Sequence, residues 1–152
     1  AGAGMSLALA CDIRVASETG KIITAFAKVG LSGDFGGSWF LTQLVGPAKA
    51  RELYFLADAV GAEEALSLGL FNRVVPDDQL EAETMALASR LAHGPTVTLG
   101  YMKKNLDAAI SQPLAQWLDL EAMHHARTSQ TEDHREAAQA FVEKRKPVFQ
   151  GR

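Results

Sequence analysis

One carboxylate, Asp34, stands in the stretch GLSGDFGGSWF, among glycines and next to Phe35, Trp39 and Phe40. A carboxyl group in apolar surroundings holds a proton more readily than one in water, and so can both accept a proton and return it. The same position also suits a turn, or an N-cap for the helix that starts near Gly37. A second chemical feature is AGAGMSLALACD at the start of the sequence. Gly2 and Gly4 open a run with helical character. Bare backbone amides at the positive end of a helix suit an oxygen that carries negative charge. A tightly packed helix of small residues is the alternative reading of that run.

The other reactive side chains fall into weaker patterns. His124 and His125 are adjacent and point to different parts of a helix, and His134 is distant, so no metal site is expected and the histidines read as solvated. Cys11 is the one cysteine, which excludes an internal disulfide, fits a reducing compartment and reads as a small packed side chain. EKRKP at 143–147 is a basic cluster at a helix end, suited to the helix dipole or to a small anionic ligand.

The elements that must position these groups change along the chain. Residues 2–11 read as a helix, 12–17 (DIRVAS) and 21–26 (KIITAF) as strands, and 30–37 as a loop. Helical spacing follows at 38–46, with Gly46 ending one helix and Pro47 opening the next. GAEEALSLGL reads as a short helix and FNRVVP (71–76) as a strand. From Asp77 onward the pattern is helical: 77–94, capped by Asp77 and Asp78, then 95–110, 113–128 and 131–145. The fold class is therefore α/β, with an α/β part at 1–76 followed by a helical part at 77–152. Two or three strands are few for an α/β layer, so further strands are expected upstream of Ala1.

Composition limits the classes of partner. The 152 residues carry 15 Lys and Arg against 18 Asp and Glu, a net charge of −3, which does not suit a phosphate-backbone binder; no nucleic-acid partner is expected. No apolar run reaches the length that spans a bilayer, and the N-terminal run has no basic flank and meets Asp12 and Arg14 early, so no membrane or secretory role is expected and the location is expected to be cytoplasmic.

Four segments in order resemble the crotonase superfamily, the enoyl-CoA hydratases and isomerases. AGAGMSLALACDIRVAS is similar to that family's second oxyanion-hole segment, and KVGLSGDFGGSWFLTQLVG to its substrate-pocket segment. ADAVGAEEALSLGLFNRVVP is similar to its T-G-x-x-x-x-A-x-E-A-x-x-x-G-L-V-x-x-V-V pattern, and AFVEKRKPVF to its C-terminal helix. The resemblance implies the C-terminal part of a spiral β-β-α fold over 1–76 and a helical trimerisation region over 77–152. It also implies a longer protein whose first oxyanion amide lies before Ala1, so that these residues alone are expected to be inactive.

By the same resemblance, the backbone N–H of Ala3 is one donor to the thioester oxygen, with Gly2 and Gly4 beside it. The two glutamates of typical hydratases match Ser6 and Phe26, neither of which can act as a carboxylate base. Asp34 matches the aspartate that some isomerases, among them the phenylacetate-pathway type, carry in G-L-x-P-D-x-G-G-T-W. Phe26 and Trp39 are expected to face substrate. Phe141 and Lys144 match the residues that stack on and pair with the CoA nucleotide. An acyl-CoA thioester is the expected substrate, with coenzyme A entering as part of it and no separate cofactor, and a homo-trimer or hexamer is the expected assembly. Enoyl-CoA isomerisation is the leading activity. Hydration of 2-enoyl-CoA and a non-catalytic acyl-CoA-binding role are the alternatives.

Overall fold

The computed structural model describes every residue from Ala1 to Arg152. The chain forms two compact units, Ala1–Thr84 and Met85–Arg152. In order, the first holds α1 (Gly2–Leu9), β1 (Val15–Ser17), β2 (Lys21–Ile22), a 3-10 turn (Phe26–Val29), α2 (Gly37–Leu56), β3 (Val60–Gly61), α3 (Ala62–Ser67) and β4 (Arg73–Val75). A second 3-10 turn, Asp77–Gln79, leads into α4 (Leu80–Ala92); α5 (Thr96–Ala109), α6 (Leu114–Thr128) and α7 (Glu132–Val142) follow. The order, mixed strands and helices first and helices alone from α4 onward, follows the pattern of apolar residues.

The core of the first unit gathers one face of each element. Met5 and Leu9, one helical turn apart on α1, are buried with Leu41, Ala50 and Leu53 of α2, Ile22 and Val60 of the strands, and Leu70 and Phe71. β1 runs parallel to β4, with Val15 opposite Arg73, and β2 pairs antiparallel with β3, with Ile22 opposite Val60. The Gly-Pro step inside α2 acts as expected: Gly46, at φ 76° and ψ 166°, breaks the helix and Pro47 restarts it.

Several expectations are corrected. The strand expected over 21–26 stops at Ile22, because Ala25 turns left-handed at φ 61° and sends Phe26 into the 3-10 turn. The strand expected over 12–17 starts only at Val15. Arg14 instead is nearly buried: its Nε donates to Leu70 O at 2.6 Å, its guanidinium also bonds Cys11 O, and its backbone N–H donates to Asn72 Oδ1 at 2.8 Å. Burial lowers its pKa, opposed by the neighbouring Cys11 and Asp12. Cys11 is exposed, its thiol turned to Leu7 O at 3.5 Å, and is not packed. Asp77 does not cap a helix; it accepts the Thr19 hydroxyl at 2.9 Å, and the Ser17 and Thr19 hydroxyls together hold its carboxyl below the usual range.

In the second unit α5 packs along α6. Trp117 Nε1 donates to Asn105 O at 2.8 Å, and Asn105 Oδ1 bonds His124 Nδ1. His124 is therefore not solvated as expected: it is 7% exposed, its ring 4.8 Å from that of Tyr101, while His125 is exposed. Thr131 caps α7 by accepting the His134 N–H at 3.1 Å. The residues after α7 fold back along it. Asp133, 2% exposed, accepts the N–H groups of Gln150 at 2.6 Å and Gly151 at 3.0 Å. Glu136 accepts Val148 N–H at 2.9 Å and both terminal nitrogens of Arg145, at 2.5 and 2.9 Å.

Candidate active site

The first turn of α1 leaves one donor free. Gly2 N–H donates to Ile23 O at 3.0 Å, and Gly4 and Met5 donate to Ala1 O at 3.1 and 3.4 Å. The Ala3 N–H between them makes no hydrogen bond within the chain and sits at the positive end of an eight-residue helix. Gly2, at φ 51°, has the left-handed conformation that opens this turn. An unpaired amide with half-exposed surroundings can hold an oxygen as it gains negative charge.

Asp34 stands on a tight turn rather than on an element. Gly37 N–H donates to Asp34 O at 3.0 Å, closing the turn, while Phe35 at φ 47° and Gly36 at φ 71° carry it through the left-handed region. The carboxylate does not cap α2, whose N-cap is Gly36; its Oδ1 accepts the Phe35 N–H at 2.7 Å. The expected apolar enclosure is absent from this chain: Asp34 is exposed, Phe35 is 59% and Trp39 52% exposed, and Trp39 meets Phe40 edge-on at 5.1 Å. The turn thus presents a carboxylate flanked by two open aromatic surfaces.

Close packing ties this turn to α1. Ser6, fully buried one turn beyond Ala3, lies against Gly37, where an added Cβ would sit 2.1 Å from Ser6 Oγ. The Ser6 hydroxyl donates to Gly2 O at 3.3 Å. Ala3 and Ser6 are three residues apart, about 4.5 Å along the axis. The close approach of Ser6 to Gly37 therefore ties the helix with the free amide to the Asp34 turn. Phe26 belongs to the same group by a different route: it is 6% exposed and its ring stacks on Tyr54 at 6.0 Å and 11°.

Sequence reasoning passed over Tyr54. Its ring lies under Gly33 and its hydroxyl by Gly37, and that hydroxyl is buried without a hydrogen-bond partner. Burial pushes the phenol above the usual tyrosine range, offset in part by the nearby Ser38 hydroxyl, which lies outside hydrogen-bond geometry. Helical spacing marks Tyr54 only as one more apolar position of α2.

The remaining predicted residues stand at the end of α7. Phe141 is 86% exposed, so most of its ring is open to solvent. Lys144 is exposed and left-handed at φ 55°. The basic cluster does not simply complement the helix dipole, because Arg145 is drawn to Glu136 and, at 2.6 Å, to Glu143. No group of histidine, cysteine and acidic side chains is placed to hold a metal ion. A groove of about 550 Å³ between α5 and α6 is lined by other residues, among them Tyr101, Met102 and His124.

The sequence profile described as Enoyl-CoA hydratase/isomerase matches residues 1–152. The chain belongs to the enoyl-CoA hydratase/isomerase family. It is 43% identical over its whole length to a protein of Rhodobacter capsulatus named Probable enoyl-CoA hydratase, covering 59% of that protein. It is 39% identical, again over its whole length, to the 1,2-epoxyphenylacetyl-CoA isomerase of Escherichia coli, covering 58% of it. Among solved structures, an enoyl-CoA hydratase from Polaromonas superposes with a TM-score of 0.93 at 34% identity, over 98% of this chain and 58% of that one. The fold is that of the crotonase superfamily, and the chain spans somewhat over half the length of the relatives it matches.

Proposed function

We propose that this family member is an acyl-CoA enzyme that shifts a double bond between the 3- and 2-positions of an enoyl thioester. Asp34 removes a proton from the carbon next to the thioester carbonyl. The electron pair spreads onto the carbonyl oxygen, where the Ala3 N–H supplies one of the hydrogen bonds that stabilise the enolate; a single donor of this kind is worth about 100- to 1,000-fold in rate. The same carboxyl group returns the proton two carbons farther along, and the double bond comes to rest in conjugation with the carbonyl. One base suffices for such a transfer. Phe141 and Lys144 serve the CoA nucleotide, by stacking on adenine and by charge next to phosphate.

The observation that carries this reading is the Asp34 turn itself: a lone carboxylate on a strained turn, locked through Gly37 and Ser6 to the helix with the free amide. Ser6 and Phe26, at the positions that match the hydratase glutamates, are both buried in packing. The hydratase named in Rhodobacter capsulatus favours a second reading, water addition to 2-enoyl-CoA, and a non-catalytic acyl-CoA-binding role is a third. Assaying the full-length protein on 3-enoyl- and 2-enoyl-CoA in parallel separates them. With Asp34→Asn, which keeps the turn's shape, turnover of 3-enoyl-CoA is expected to fall by at least about 100-fold, mainly in kcat. Near-normal turnover by that variant would end the isomerase reading.

A further inference from the structure

Strained backbone persists only where its surroundings fix it. Phe35 is held left-handed inside the Asp34–Gly37 turn, at a cost of about 1–2 kcal/mol for a residue with a Cβ. The turn is exposed on its outer side, from Leu31 to Gly36. What fixes it lies beneath. Tyr54 reaches from α2 to both ends of the turn: a Cβ on Gly33 would lie 3.5 Å from Tyr54 Cε1, and one on Gly37 only 2.9 Å from Tyr54 Oη. The ring cannot swing away, because it stacks on Phe26.

We infer that Tyr54 is a positioning residue for Asp34, its ring and its buried hydroxyl together forming the floor that sets the height and tilt of the carboxylate turn. The inference rests on Asp34 being the proton shuttle. The hydroxyl is the informative atom. Phenylalanine would supply the same floor without a buried, unpaired donor, which costs about 1–3 kcal/mol. A donor held there against stability limits where the turn can go. When an acyl chain presses on the turn from its open side, inward movement meets the hydroxyl, first as contact and then as a hydrogen bond to the turn's backbone. The carboxylate is thereby stopped at one distance from the carbon it deprotonates, and small errors in that distance are costly in rate.

The test compares Tyr54→Phe, Asp34→Asn and the double variant in the full-length protein. Tyr54→Phe is expected to melt at the same temperature or higher, since it removes an unpaired buried group. Its kcat on 3-enoyl-CoA is expected to fall at least about 10-fold with KM changed less than about twofold. Because Tyr54 works through Asp34, the double variant should be no slower than Asp34→Asn alone. Unchanged kcat in Tyr54→Phe overturns the inference, as does a double variant slowed by the product of the two single effects. A lower melting temperature for Tyr54→Phe also overturns it, by showing that the hydroxyl is a structural partner. If Asp34→Asn itself keeps full turnover, the isomerase reading falls and this inference falls with it. If Asp34→Asn is impaired and Tyr54→Phe is not, only the role of Tyr54 is lost.

Discussion

Gly37 closes the turn that carries Asp34, opens α2 and lies against α1, so at this residue three demands meet. A methyl group there would overlap Ser6 Oγ, Ser6 Cβ and Tyr54 Oη at 2.1, 2.9 and 2.9 Å. Its neighbours are buried and cannot retreat cheaply. Gly37→Ala is therefore expected to lower stability by about 1–3 kcal/mol, read by urea denaturation, and to lower kcat as well because α1 and the Asp34 turn are pushed apart. Arg14 makes a related point. Its guanidinium spans the carbonyls of Cys11 and Leu70 and so fastens the end of α1 to the segment before β4. Arg14→Met is expected to destabilise by about 2–4 kcal/mol, because those carbonyls lose their donor inside the fold. A melting temperature unchanged from the parent would show that water replaces the guanidinium.

At the scale of elements, α7 and the residues that fold back along it form a charged clasp. The helix ends with Lys144 left-handed, its N–H on Phe141 O at 3.3 Å and the Arg145 N–H on Ala140 O at 3.0 Å, the paired pattern that usually carries glycine. A lysine keeps that conformation because Arg145, immediately after it, is tied to Glu136 and Glu143. The Arg145 hydrogen bonds, followed by the Val148 N–H, lower the Glu136 carboxyl from 4.5 to about 2. A depressed carboxyl pKa stabilises the fold above the unfolded value, and the contribution is lost as pH falls through the folded one. The clasp is thus expected to be at full strength above about pH 4.5 and to loosen toward pH 2. Thermal melts of the parent and of Glu136→Gln should differ most near neutral pH and converge near pH 2. A difference that does not shrink with acid would place the Glu136 effect outside its charge.

At the scale of the molecule, both units leave large apolar side chains open. The first buries a continuous core, yet Val29, Leu31, Phe55 and Leu56 are more than half exposed. The second leaves Met102, Leu106, Leu114 and Leu118 of α5 and α6 at least about half exposed, with Phe141 and Val142 more exposed still. No helix is long and apolar enough to cross a membrane. The homo-trimer or hexamer that the family resemblance implies would cover part of this surface. Light scattering on the full-length protein is expected to give a multiple of three protomers, and closed symmetry lets an exposed Phe141 reach a neighbour's nucleotide. Phe141→Ala is then expected to weaken CoA binding about tenfold, the equivalent of one stacking contact. A stable monomer that binds CoA normally would remove both roles.

The family was legible in the sequence because it rests on local order: the glycines at 2 and 4, the GLSGDFGG stretch around Asp34, and the spacing of E-A and G-L around α3 all stand within short windows. The helices from α4 onward were legible for the same reason, since a 3.6-residue period needs no distant partner. What only the tertiary structure decided are contacts between residues far apart in the chain. The burial of Arg14 depends on Leu70, that of His124 on Asn105, and the place of Asp77 on Thr19. The strand expected through Phe26 ended early because its backbone turns at Ala25 to set that ring on Tyr54, 28 residues farther on. Residue type and periodicity report what a side chain prefers. Which partner satisfies it, and which hydroxyl is left with none, is fixed only when the elements pack.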